Sequence, residues 1–188
     1  MVEKTKARIM DATKIRRVLA RVATEIIERN RNLRSLVIVA VKPRGLAIGR
    51  RLARQVKDLE SVEIPVGLLD YARYRDDVPA RTAKAGLASK LAFPVEKKNV
   101  LLVDDVLMTG RTMRAAIDAL IDRGRPQSVQ LAVLVDRGHR ELPIRPDYVG
   151  KVLPTSHRER VRVRLKETDG SEEIVIAEPV RIGGARRR

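Results

Sequence analysis

Val100-Leu-Leu-Val-Asp104-Asp105-Val-Leu-Met-Thr109-Gly110-Arg111-Thr112 decides how the rest of this chain is read. Val100 to Val103 is a continuous apolar run, the pattern of a strand buried on both faces of a parallel sheet. Two adjacent carboxylates follow it, and a small polar loop then opens a helical pattern over Arg111 to Arg123. The first N–H groups of a helix lack partners and carry a partial positive charge, so Thr109, Gly110, Arg111 and Thr112 can cradle a phosphate, with Gly110 letting the backbone come close. Asp104 and Asp105 stand at the carboxyl end of the strand, where open α/β sheets bind ligands, and can accept hydrogen bonds from the vicinal hydroxyls of a ribose. The alternative, that the acids only cap the next helix, suits one Asp better than two followed by Thr-Gly-Arg-Thr. A P-loop nucleotide site is not indicated, because G-x-x-x-x-G-K-[ST] and G-x-G-x-x-G are both absent.

Outward from this stretch, strand and helix patterns alternate. Ile15, Val18, Leu19, Val22, Ala23, Ile26 and Ile27 recur at helical spacing and predict an amphipathic helix over roughly Asp11 to Arg31, with Arg17, Arg21 and Glu28 on its solvent face. Leu36 to Val41 reads as a buried strand, Lys42-Pro43-Arg44-Gly45 as a tight loop, and Leu46 to Leu59 as a helix. Glu63 to Asp70 and Gln130 to Val135 read as further strands, so the alternation predicts a mostly parallel α/β sheet flanked by helices. Tyr74 to Phe93 is polar and weakly periodic, as expected of a flexible flap. After Pro154 the pattern turns to alternation through Val161, Val163 and Leu165, an Asp169-Gly170 turn and Ile174 to Ile176, which predicts a C-terminal β-hairpin.

With 188 residues and 44% hydrophobic content, the chain has the size of one domain, expected over 1–182, followed by a disordered basic tail at 183–188. No run of 18 apolar residues occurs, and Met1 to Met10 carries Glu3, Lys4, Lys6 and Arg8 without an apolar stretch behind them, so a cytoplasmic, membrane-free protein is expected. The absence of cysteine excludes disulfides and thiolate chemistry, and two histidines cannot form a His-based zinc site alone. A net charge of +16 suits a polyanion or a multiply phosphorylated substrate, or simply a basic solubilising surface. Only 2% of residues are aromatic, which argues against base-stacking platforms and leaves phosphates and shape as the means of holding any RNA.

At Val100 to Thr112 the chain resembles the phosphoribosyl pyrophosphate (PRPP) motif of type I phosphoribosyltransferases: an apolar strand, two acids, two apolar residues, any residue, then Thr-Gly-x-Thr. Thr112 to Leu120, Gly124-Arg-Pro126, Gln130 to Arg145, Val149-Gly-Lys151 and Pro154-Thr-Ser156 narrow this, because they resemble the pyrimidine operon attenuation regulators with uracil phosphoribosyltransferase activity. The likeness runs from about Ile15 to Glu178, and Tyr74-Arg75-Asp76-Asp77 matches that family's flap entrance.

The resemblance implies a type I phosphoribosyltransferase fold and conversion of uracil and PRPP to UMP and pyrophosphate with Mg²⁺. The metal would be carried by PRPP near Asp104 and Asp105 rather than held by a dedicated cage. Asp104 and Asp105 are then the catalytic pair, Thr109, Gly110, Arg111 and Thr112 grip the 5′-phosphate, Arg44 and Gly45 lie at the pyrophosphate loop, and Arg75 closes from the flap. Arg137 falls at the uracil or UMP end, and Val161 is a further residue expected to bind PRPP or UMP. The family also binds a stem-loop in its messenger leader when occupied by UMP or UTP, which implies an RNA face of Arg17, Arg21, Arg29, His139, Arg140, Arg145 and Lys151, and a homodimer or homotetramer. Pro43, Met108, Ala20 and Thr24 depart from the family pattern. A UMP- or UTP-sensing regulator with weak catalysis, and a transferase for another base, are the other readings at this point.

Overall fold

The computed structural model describes residues 3–76 and 91–179; the expected flap interior, with Asp77, and the basic tail lie outside them. The central sheet is formed by β2 (Leu36–Ala40), β3 (Val66–Leu68), β4 (Asn99–Leu107), β5 (Ser128–Asp136) and β6 (Tyr148–Val152), in the order β3-β2-β4-β5-β6. Every pairing in it is parallel. Helices α1 (Ala12–Arg29) and α2 (Pro43–Glu60) belong to one core cluster, where Ile15, Leu19, Val22 and Ile26 meet Ile48, Leu52, Ile38, Leu101 and Val103. Helix α3 (Arg111–Ile121) belongs to the other, with Met113, Ala116 and Leu120 among Val37, Val39, Val100, Leu102 and Val133. Alternate residues of each central strand thus enter opposite clusters, which is why Val100 to Val103 reads as an unbroken apolar run.

A second, antiparallel sheet of order β1-β8-β7 stands as a hood, built from β1 (Glu3–Asp11), β7 (Arg160–Arg164) and β8 (Glu173–Pro179). The expected hairpin is present, but its strands are joined by one helical turn, α4 (Lys166–Asp169), closed by Gly170 at φ 69°, rather than by a two-residue Asp169-Gly170 turn. Two strands go beyond the sequence reading. β1 is an exposed edge over Lys4 to Arg8, so no buried stripe announces it, and β6 is a short edge broken by Gly150 and Lys151.

Other boundaries shift for local reasons. α1 begins at Ala12 because Asp11 caps it, its carboxylate accepting the Lys14 N–H at 2.8 Å. The expected loop Lys42 to Gly45 is mostly the first turn of α2, with Pro43 at N1, a position whose N–H would be unpaired in any case. Only Val66–Leu68 of the expected Glu63–Asp70 strand pairs with β2. β4 continues past Val103 through both acids to Leu107, because β5 runs beside it with Asp104 opposite Val133 and Leu107 opposite Asp136.

Candidate active site

β2 connects through α2 to β3 on one side, whereas β4 connects through α3 to β5 on the other. The adjacent strands β2 and β4 therefore form the switch point of the sheet, and a crevice opens at their carboxyl ends. Two helix N-termini face this region. At α3, Gly110 caps with φ 91°, a left-handed conformation suited to glycine, and the first intrahelical bond runs from Arg114 N–H to the Gly110 carbonyl at 2.9 Å. The N–H groups of Arg111, Thr112 and Met113 lie ahead of that bond, Arg111 N–H meeting only its neighbour's hydroxyl, Thr109 Oγ1, at 3.3 Å. At α2 the first bond runs from Leu46 N–H to the Lys42 carbonyl at 3.0 Å, leaving those of Arg44 and Gly45 ahead of it.

Gly45 is needed there for space: a Cβ would come 2.4 Å from the Val103 carbonyl oxygen, so α2 reaches β4 only without a side chain. Lys42, which the sequence reading passed over as part of a loop, caps α2 in a backbone conformation (φ 90°, ψ 161°) that non-glycine residues rarely adopt. Its ammonium stands 3.9 Å from Asp104 Oδ2. Burial acts to lower its pKa, and the negative charge of Asp104, with Tyr71 and Asp105 behind it, outweighs that and raises it.

The two acids differ. Asp104 is 0% exposed; its Oδ1 accepts the Asp105 N–H at 2.9 Å, and its Oδ2 has no hydrogen-bond partner. Burial, reinforced by the neighbouring Asp105 carboxylate, holds its pKa well above the usual carboxylate range against the pull of Lys42. Asp105 is half-buried and lines a cleft of about 180 Å³ between the core and the hood, together with Arg44, Val161 and Asp169. The expected residues Asp105, Arg44 and Val161 are thereby brought together. The Arg44 guanidinium is already engaged, donating to both carboxylate oxygens of Asp169 at 3.1 and 2.6 Å. That pairing pushes the Asp169 carboxyl far below its ordinary value. Arg75 lines a separate recess with Lys42, Pro43 and Tyr71 at the root of the flap. The side chain of Arg111 bridges Asp76 at 2.7 Å and Glu141 at 2.6 Å, so this residue offers the site its backbone N–H.

Arg137 is buried, donates to Thr155 Oγ1 and the Ser156 carbonyl, and lines a cleft of about 560 Å³ with His139, Arg140, Arg145, Val149 and Val152. It does not line the smaller cleft that holds Asp105. Burial lowers its pKa, with Glu159 opposing. Two residues of the expected RNA face lie where α1 runs along β6: Arg21 donates to the carbonyls of Val149 and Gly150, and Arg29 pairs with Asp147 at 2.8 Å over the Tyr148 ring. Arg17, Arg145 and Lys151 are exposed. His139, at φ 62°, bonds through Nε2 to the Thr155 carbonyl and through Nδ1 to His157. Arg140 points inward, to Asp136 and to the backbone of Met108 and Ile144.

Paired acids on a switch-point strand between two open helix N-termini define a phosphoribosyltransferase-class site. Residues 7–168 match the phosphoribosyl transferase domain family. The bifunctional protein PyrR of Pelotomaculum thermopropionicum is 55% identical over 174 residues, covering 92% of this chain and 96% of that protein. The PyrR protein of Deinococcus radiodurans is 52% identical over 176 residues, covering 93% and 96%. The chain belongs to the bifunctional PyrR family of phosphoribosyltransferases, which bears out the resemblance read from Val100 to Thr112 and its surroundings. Among solved structures, the hypoxanthine phosphoribosyltransferase of Trypanosoma cruzi matches with a TM-score of 0.71 at 21% identity, over 94% of this chain and 98% of that one, a likeness of fold alone.

Proposed function

We propose that this chain transfers the phosphoribosyl group of PRPP to uracil, giving UMP and pyrophosphate, and that with UMP or UTP bound it holds a messenger leader stem-loop and favours termination. The observation that carries the enzymatic half is the placement of Asp104 and Asp105 on β4 between the N-termini of α2 and α3. A 5′-phosphate is held by the N–H groups that open α3, the pyrophosphate by those of Arg44 and Gly45, and the ribose by the acids between them. As the bond from C1′ to pyrophosphate breaks and the ring gains positive charge, the carboxylate of Asp105 stabilises it, and no protein nucleophile is required. The carboxylate of Asp105 suits a hard cation, whereas Asp104 Oδ2, though without a hydrogen bond, faces the Lys42 ammonium at 3.9 Å, and no cluster of three ligating side chains occurs among the described residues. Asp104 and Asp105 would therefore meet Mg²⁺ carried by PRPP, and the metal would supply charge neutralisation for pyrophosphate.

Steady-state formation of UMP from uracil, PRPP and Mg²⁺ tests this, with Asp105→Asn beside it. The expected result is turnover that falls by about 100-fold or more in the variant. Retained UMP binding without turnover would reassign the chain as a nucleotide-sensing regulator, and turnover with hypoxanthine in place of uracil as a transferase for another base. On the RNA side, Arg17, Arg145 and Lys151 are exposed for phosphate contacts, while Arg21 and Arg29 order the α1 surface against β6. No helix among the described residues is long and apolar enough to cross a membrane, which is compatible with the cytoplasmic setting that this function needs. A homodimer or homotetramer is the expected assembly, and a monomer in sedimentation at micromolar concentration would contradict it.

A further inference from the structure

We infer that Arg140 is a positioning residue for the phosphate-binding loop, acting through the backbone of Met108. This rests on the reading of Thr109 to Thr112 as that loop. The side chain of Arg140 is 22% exposed and makes four hydrogen bonds within the molecule. Its Nη2 donates to Asp136 Oδ2 at 2.6 Å, its Nη1 to the Met108 carbonyl at 2.8 Å and, more weakly, to the Gly138 carbonyl at 3.4 Å, and its Nε to the Ile144 carbonyl at 2.8 Å. Beside it, the N–H groups of Glu141 and Leu142 both donate to the Thr109 carbonyl, at 3.0 and 3.1 Å.

The consequence follows from the planar trans peptide, in which the N–H of one residue points opposite to the carbonyl of the residue before it. Fixing the Met108 carbonyl toward Arg140 aims the Thr109 N–H the other way. Fixing the Thr109 carbonyl toward Glu141 and Leu142 does the same for the Gly110 N–H. Two backbone donors just ahead of α3 are thus turned away from the 138–145 segment before any ligand arrives. Donors fixed in advance need no reorganisation when the phosphate binds, which is the source of their strength. Arg140 holds the first of the two carbonyls with a charge-assisted bond, and its own orientation is set by Asp136 at the end of β5.

A ligand with a phosphate and the same ligand without one separate this role from a structural one. Affinities for UMP and for uridine are measured by calorimetry in the wild type, Arg140→Gln and Arg140→Lys, with melting temperatures alongside. The expected result is a roughly tenfold or greater fall in UMP affinity in Arg140→Gln with uridine affinity unchanged. Arg140→Lys should fall between, because an ammonium reaches Asp136 or the Met108 carbonyl but does not span both; if the Gln variant does not fold, this variant decides by the same ratio. An unchanged UMP-to-uridine ratio in a folded variant, or an equal loss for both ligands, overturns the inference. A wild type that binds UMP no better than uridine overturns instead the reading of Thr109 to Thr112 as a phosphate loop, and the inference with it.

Discussion

Asp104 shows how much a single buried carboxylate can cost a fold that needs it. Its pKa is raised above 3.8 by burial and by Asp105, so over the window between 3.8 and the raised value the folded chain holds a proton that the unfolded chain has released. Stability therefore falls as the pH rises through that window. Asp104→Asn should remove this pH dependence, its melting temperature falling less than that of the wild type as the pH rises from 5 to 8, while binding PRPP less well; melting temperatures that fall in parallel with the wild type would contradict this. Glu3 behaves in the opposite sense. Its hydrogen bond from Arg162, opposed by partial burial and supported by Arg160, lowers its pKa from 4.5 to about 2. Its contribution is complete above pH 4.5 and disappears as the pH falls toward 2. Melting curves of Glu3→Gln and the wild type should therefore converge across that acid range and separate above it.

Between elements, approach distance decides more than composition. The first turn of α2 touches β4 at Gly45, so Gly45→Ala must displace the helix start or the strand, at a cost of about 1–3 kcal/mol and with weaker binding of inorganic pyrophosphate. Denaturant melts and pyrophosphate titrations would show both, and an undisturbed pair of values would mean the helix has room to move. The same contact explains what was legible in the sequence. The strand-acid-acid-loop-helix order of Val100 to Thr112 carried the switch-point site because each part has a local signature: a buried run, adjacent carboxylates, a glycine at a helix start. Lys42 was not legible, since its nearness to Asp104 depends on a backbone angle and on the pairing of β2 with β4. Nor was the inward turn of Arg140, because a basic residue in Gly-His-Arg-Glu carries no mark of which way it faces. β1 and β6 escaped for a simpler reason: each lies at a sheet edge, where the alternation that announces a strand is replaced by charge or interrupted by glycine.

Over the whole molecule, the charge of +16 and the hood govern behaviour that no single residue reports. RNA held mainly through phosphates should lose affinity steeply with salt, the logarithm of the binding constant falling linearly with that of the salt concentration, and Lys151→Gln should make the slope shallower by about 1. An unchanged slope would remove Lys151 from the RNA face. The hood is fastened to the core by Arg51, which bonds Glu167 at 2.7 Å and also Glu172, and by the pairing of Arg44 with Asp169. Its third strand, however, comes from the other end of the chain: Glu3 lies opposite Pro179 and Asp11 opposite Glu173. The nine residues of β1 can find their place only after the last strand exists, so the loop closed by this pairing spans nearly the whole polypeptide and its closure entropy is met late. The parallel sheet and the Thr109 to Thr112 loop can assemble first, leaving a chain that holds Asp104 and Asp105 before it has the roof above them. Refolding should accordingly be biphasic, with the sheet ahead of the hood, and a permuted chain that joins 179 to 3 and opens within 77–90 should merge the two phases.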